Sequence, residues 1–318
     1  MARVYLSHTF NLGGEKEYFG ENANQVNETR TKKYFQITAG KFSMADFFDK
    51  NKYSHDPRSH FMNWSLMSSG AWDYPANVRG YTWGFVLEYG RPKWAARFAA
   101  VLVPKEANGN IMDLNISQAR SYALEIEKPY SLGSKPGVIR LLGFYTLAQM
   151  GDYRRAVIDN PVAPDITLTR MYGRNKFGGA INIEQEAGKN IGVFARTSWN
   201  DGHHETWAFT EIDQSLSVGA VRKNGLIKRK SDEFGLAAVV NGISSDHRAY
   251  LQAGGYGFII GDGQLNYAPE VILESFYKVN LLYEGFWLTP NYQFVLNPAY
   301  NKDRGPIHMF SIRVHIEI

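Results

Sequence analysis

From Phe310 onward the chain alternates without a break. Phe310, Ile312, Val314, Ile316 and Ile318 fall on one side, and Ser311, Arg313, His315 and Glu317 on the other. That is the period-2 signature of a β-strand. The stretch before it repeats the pattern, with Phe286, Leu288, Pro290, Tyr292, Phe294 and Leu296 on one face and Thr289, Asn291, Gln293 and Val295 on the other. A soluble β-sandwich also alternates, but it turns its polar face to water. A membrane barrel sets the apolar face against lipid and turns the polar one inward. Two neighbouring strands with large, aromatic-rich apolar faces favour the barrel, with Arg313, His315 and Glu317 facing the interior.

The same alternation recurs along the chain at 3–10, 33–42, 81–89, 94–102, 121–127, 138–145, 180–185, 192–200, 206–220, 234–241, 249–260 and 271–281. With the two closing segments this predicts roughly 14 strands, each near the ~10 residues that a tilted membrane strand needs. A Gly- and Asn-rich loop is expected between the first two. Residues 90–93 read as the turn of a hairpin whose small-residue face makes Glu88 and Arg97 cross-strand neighbours. Residues 43–79 form a long irregular segment, too aromatic for a disordered linker and of a length that is usually functional. No sustained 3.6-residue period, fixed repeat or composition break appears, so residues 1–318 read as one all-β domain.

Composition narrows the class. The chain has 318 residues, 44% of them hydrophobic, and a mean hydropathy of −0.34. No apolar run approaches the roughly 18 residues of a spanning helix, which excludes a helical membrane protein. Barrels escape that filter, and 19 Tyr, 19 Phe and 7 Trp are enough for two interfacial girdles. The net charge of +4 comes from interspersed charges, without the basic tract that nucleic-acid binding needs. Absence of cysteine removes disulfides and thiolate chemistry, and the opening MARVYLSHTF reads as a strand rather than a signal peptide.

Longer stretches carry a likeness. ARVYLSHTF with NLGGE, AGKFSMADFFDKNKYSHDPRSHFMNW, GAWDYPANVRGYTWG, ARTSWNDGHHETWAFTEIDQSLSVG, GGYGFIIGDGQLNYAPE and NPAYNKDRGP make the chain resemble the carbohydrate-selective porin family of the bacterial outer membrane, the OprB type. The resemblance implies an antiparallel transmembrane barrel of about 16 strands, placed in the outer membrane and passing monosaccharides through a narrow charged constriction. It also implies contact with outer-membrane lipid and lipopolysaccharide and with the barrel-assembly machinery, as a monomer or a trimer. The opening segment lies well inside the family's proteins, so an N-terminal portion with export signal and further strands is expected to be absent. Segment 3–10 is then left to partner the closing strand. The final Ile318 departs from the aromatic terminus usual in such barrels.

A sugar-selective pore needs charged hydrogen-bonding groups and flat aromatic surface at a narrow point. The polar faces supply Glu88, Arg97, Glu125, Glu127, Arg140, Arg196, Glu211, Asp213, Glu274 and Arg313 as lining residues, each open to the alternative of a structural charge network. Segment 43–79 is expected to fold inward and narrow the pore through Arg58, His60, Asn63, Trp64, Trp72, Asp73 and Arg79, with Arg58 and Arg79 at the constriction. A nonspecific porin of the same architecture and a soluble sugar-binding sandwich remain as alternatives.

Enzyme readings are weaker. Glu125 with Glu127, or Glu211 with Asp213, could serve glycoside hydrolysis, but any charged lumen produces such pairs. His203, His204 and Glu205 lack a metalloprotease spacing and suit a turn. Residues 254–261 miss the dinucleotide fingerprint at Ile260, and their glycines suit strand bending. No cofactor is expected, although the oxygen-rich Asp46, Asp49, Asn51 and Asp56 leave calcium open.

Overall fold

The computed structural model describes residues 2–20, 27–208, 210–226, 229–281 and 285–317. Among them thirteen strands form one sheet, each paired antiparallel with the next in sequence order. They are β1 (Val4–Phe19), β2 (Glu28–Phe42), β3 (Thr82–Arg91), β4 (Trp94–Val101), β5 (Arg120–Leu132), β6 (Lys135–Ala148) and β7 (Arg174–Gly188). Then follow β8 (Ile191–Asn200), β9 (Gln214–Lys223), β10 (Glu233–Gly242), β11 (Glu270–Asn280), β12 (Phe286–Leu296) and β13 (Ile307–Ile316). Three short helices sit in the connections: α1 (Trp64–Met67), α2 (Tyr153–Asp159) and α3 (Ser245–Gln252). Tight turns at 92–93, 133–134 and 189–190 mark one end of the sheet, and the long connections 43–81, 102–119, 149–173, 201–213 and 243–269 crowd the other.

A single meandering sheet excludes the sandwich. Its apolar face is bare, with Phe310 80% and Ile312 71% exposed, and bare apolar surface on this scale needs a non-aqueous neighbour. Aromatic rings gather at both ends of that face. Tyr122, Tyr145 and Phe177 stand in one register row near the long connections, with Trp199 5.9 Å from Phe177. Tyr89 and Trp94 meet at 5.6 Å beside the tight turns. Rings at the two edges of an aliphatic band are what two lipid–water interfaces select.

The other face wraps around segment 43–81. Backbone groups of this segment bond to Glu125 on β5 and to Arg313 on β13, strands that a flat sheet would hold about 38 Å apart at ~4.8 Å per strand. The sheet is therefore strongly curled. Two apolar clusters seat the segment, one joining Phe42, Met44, Phe48 and Trp72 to Val86, Ala99, Ala123 and Phe144. A second joins Tyr53, Phe61 and Leu66 to Phe194, Val239, Ile272 and Phe276. The concave face is thus less uniformly polar than alternation suggests, because it packs a folded insert as well as facing the lumen.

Several expected segments change. Stretch 249–260 is no strand: Ser244 caps α3 by accepting from the His247 N–H, and Gly254 at φ +93° follows the helix end. This accounts for thirteen strands rather than roughly 14. The 206–220 segment is a strand only from Gln214, so Glu211 and Asp213 precede the wall rather than forming part of it. The Gly-rich loop after Phe10 is also absent as such, since β1 runs on to Phe19 and Gly13 and Gly14, at φ +101° and +96°, sit where the register shifts. Among the described residues β1 and β13 do not pair with each other, and Ile318 lies outside the described residues.

Candidate functional site

Alternation places one charged residue after another at the same height on the inner wall. Register sets Glu88 opposite Arg97, Arg97 opposite Glu125, and Glu127 opposite Arg140. Their side chains join into a belt. Arg97 donates through Nε to Glu88 at 2.6 Å and through Nη1 to Glu125 at 2.9 Å and Glu127 at 3.1 Å. Arg140 donates to Glu127 at 2.8 Å and to Glu184 at 3.2 Å. Tyr34 on β2 extends the belt by donating to Glu88. Its ring lies over Gly90, where any Cβ would collide with it, so the absent side chain makes room for the phenol.

Facing this belt is the tip of the inward segment. Lys50 is exposed there, and the charges acting on it are those of Arg97, Glu88, Glu127 and Glu125. The neighbouring Asp49, at φ +53°, turns the chain and is buried. An arrangement of carboxylates, guanidinium groups, an ammonium and a phenol offers both acceptors and donors at one level, which matches the mixed character of sugar hydroxyls.

Other wall residues grip the backbone of segment 43–81. Glu125 accepts from the Asp49 N–H at 2.7 Å and Glu184 from the Lys52 N–H at 2.7 Å. Glu274 accepts from the N–H groups of Met62 at 2.7 Å and Asn63 at 3.0 Å. Arg313 donates to the carbonyls of Pro57 at 2.7 Å and His60 at 3.0 Å. Arg196, 2% exposed, donates to Ser54 Oγ at 2.5 Å, the Leu66 carbonyl at 2.8 Å and Asp49 Oδ1 at 3.3 Å.

The residues proposed from sequence therefore separate into groups. Glu88, Arg97 and Glu127 form the belt, and Glu125 belongs to it while lying under the insert. Arg196, Glu274 and Arg313 hold the insert from below. Trp72 and Asp73 are buried, with Asp73 accepting from the N–H groups of Trp207 at 2.8 Å and Ala208 at 2.7 Å. Glu211 and Asp213 secure the long-connection end. Glu211 accepts from Ile259 and Ile260 N–H at 2.9 Å, and burial pushes its carboxyl up. Burial also opposes ionisation of Asp213, but the His247 imidazole at 3.0 Å outweighs it and holds that carboxyl below its ordinary range. Buried in this way, these four side chains act as structural ties.

Arg58 is exposed and pairs within its own turn with Asp56 at 2.9 Å. Arg79 is exposed on the turn that leads into β3. Asp46 is paired with Arg3 at 2.7 Å, Asp49 with Arg196, and Asp56 with Arg58, so each carboxylate considered for calcium already has a protein cation. His203 lies 2.8 Å from Asp246, His204 2.7 Å from the Asn175 carbonyl, and Glu205 2.6 Å from Arg170; the three diverge within the 201–213 connection. Sequence reasoning missed Glu184, which the alternation of 180–185 already turned inward, and Lys50, which no periodicity marks.

A family model described as carbohydrate-selective porin, OprB family, matches residues 2–318. The chain belongs to this family. Among solved structures it is similar to the high-pH structure of Pseudomonas putida OprB, with 17% identity over 89% of this chain and 69% of that one and a TM-score of 0.68. The low-pH structure of the same protein matches with 12% identity over 91% and 68% of the two chains and a TM-score of 0.48. A search of curated proteins found no match. The first likeness identifies the curled sheet as a β-barrel. As an OprB-family porin the chain is a carbohydrate channel of the bacterial outer membrane rather than an enzyme.

Proposed function

We propose that monosaccharides such as glucose cross passively through the gap between the belt Tyr34, Glu88, Arg97, Glu127 and Arg140 and the insert tip at Lys50. The observation that carries this reading is the belt itself: four carboxylates, Glu88, Glu125, Glu127 and Glu184, alternate with Arg97 and Arg140 across adjacent strands, opposite a protruding cation. Guanidinium groups donate and carboxylates accept, so a sugar can trade its water hydrogen bonds for wall bonds one hydroxyl at a time. Because each charged group keeps its protein partner, the exchange is shallow, and a solute that enters can leave.

Liposome swelling tests the proposal. Vesicles holding the purified protein should swell quickly in glucose, slowly in an amino acid of similar size and not measurably in maltotriose. Equal rates for the three would make the channel nonspecific and remove the selectivity claim.

A further inference from the structure

Between the belt and the tight turns lies a cavity of about 370 Å³, within the ~300–1,000 Å³ range of ligand pockets. Its walls include Phe19 at the end of β1, Arg30 and Tyr34 on β2, and Arg97 and Glu127 of the belt. The Arg30 guanidinium carbon stands 4.2 Å from the Phe19 ring centroid and 3.9 Å from that of Tyr34. Ring contacts of this kind occupy the faces of a guanidinium and leave its in-plane N–H donors to other partners. Arg30 Nε is buried and has no hydrogen-bond partner among the described residues. Glu17 stands opposite Arg30 in the ladder, yet no ion pair joins them among the described residues.

The charges around this cavity are unequal. Arg30, Lys32, Arg91 and Arg97 line it against Glu17 and Glu127. Lys32 is paired with Glu15, and Arg97 and Glu127 are taken within the belt, which leaves Arg30 and Arg91 facing Glu17 without ion pairs among the described residues. A stacked guanidinium that has no ion pair among the described residues, in a space of sugar size, is suited to a planar carboxylate. We propose that this vestibule is a second station of the channel, one that binds monosaccharides carrying a carboxylate, of the hexuronate class, with Arg30 as the group that recognises the acid. The inference rests on the sugar-channel reading above and adds to it a ligand class that the belt does not select.

Single channels in planar bilayers, titrated with glucose or glucuronate from each side at fixed ionic strength, test it by sugar-induced current block. Glucuronate should bind about tenfold more tightly than glucose, the scale of one charge-assisted hydrogen bond, and best from the side bearing the tight turns. Arg30→Gln should remove that advantage and leave glucose block unchanged. Arg30→Lys, which keeps the charge but not the fork, should retain part of it, and heat-modifiable mobility in SDS confirms that each barrel has folded. Equal binding of the two sugars by the parent protein, an unchanged glucuronate affinity in folded Arg30→Gln, or equal loss for both sugars would each overturn the vestibule assignment. Complete absence of glucose block in the parent protein would instead overturn the sugar-channel reading on which it rests.

Discussion

Arg196→Ala is expected to release the inward segment while leaving the barrel standing. The guanidinium is buried beneath that segment, where it pairs with the Asp49 carboxylate and supplies donors to Ser54 Oγ and the Leu66 carbonyl near the end of α1. Removing it leaves Asp49 buried with only its neutral donors, the Ser69 N–H at 2.6 Å, the Ser69 hydroxyl at 3.0 Å and Asn182 Nδ2 at 2.6 Å. Breaking a buried pair from one side costs about 3–5 kcal/mol, which shifts the ratio of seated to released insert by a factor of roughly 10² to 10⁴. The strand ladder keeps every backbone bond, so the variant should still fold and show heat-modifiable mobility. Its single-channel conductance should rise severalfold, and maltotriose should begin to enter vesicles. A folded variant with parental conductance and the same size limit would refute the argument, because the remaining anchors would then hold the insert without Arg196.

Three further outcomes follow from the same geometry. Ile312→Arg places a charge mid-strand on the lipid face, where it should cost about 2–4 kcal/mol and visibly lower the yield of inserted barrel in a lipid-refolding assay. Gly90→Val should drive the Tyr34 ring from its seat and break its bond to Glu88, changing conductance and glucose block with little loss of barrel stability. Asp213→Asn should loosen the 243–269 connection and speed its cleavage by trypsin at pH 7. Because the Asp213 carboxyl sits below its ordinary range, the parent protein should keep this tie at neutral pH and lose it only as the pH falls below about 4.

The wall was legible from sequence because a strand reports its two faces at every second residue. Glu88 and Arg97 could be paired from the alternation alone, and the bare apolar side of β13 could be assigned as far as Ile316. What failed was local and short. An eight-residue helix such as α3 gives too few turns for a 3.6 period to appear, although Ser244 before it and the Gly254–Gly255 pair after it were usable signals. Alternation also cannot tell which inward residues meet water and which lie under another segment. Arg196 and Arg97 read alike in sequence, yet one fastens the insert and the other bonds only to its neighbours in the charged belt. That difference depends on where residues 43–81 travel, a non-local fact carried by contacts more than a hundred positions apart.

The fastening itself has a consequence for how such a channel can change. Glu125, Glu184, Glu274 and Arg313 hold the insert by its peptide groups, and every residue type other than proline presents the same N–H and C=O. The seat of the insert backbone at these points is therefore indifferent to which side chain stands at Lys50. If the sugar path runs past Lys50 as proposed, a single codon change there alters the solute preference of the channel while the insert keeps its seat, so that a lineage meeting a new sugar could explore specificity without first passing through a leaky intermediate.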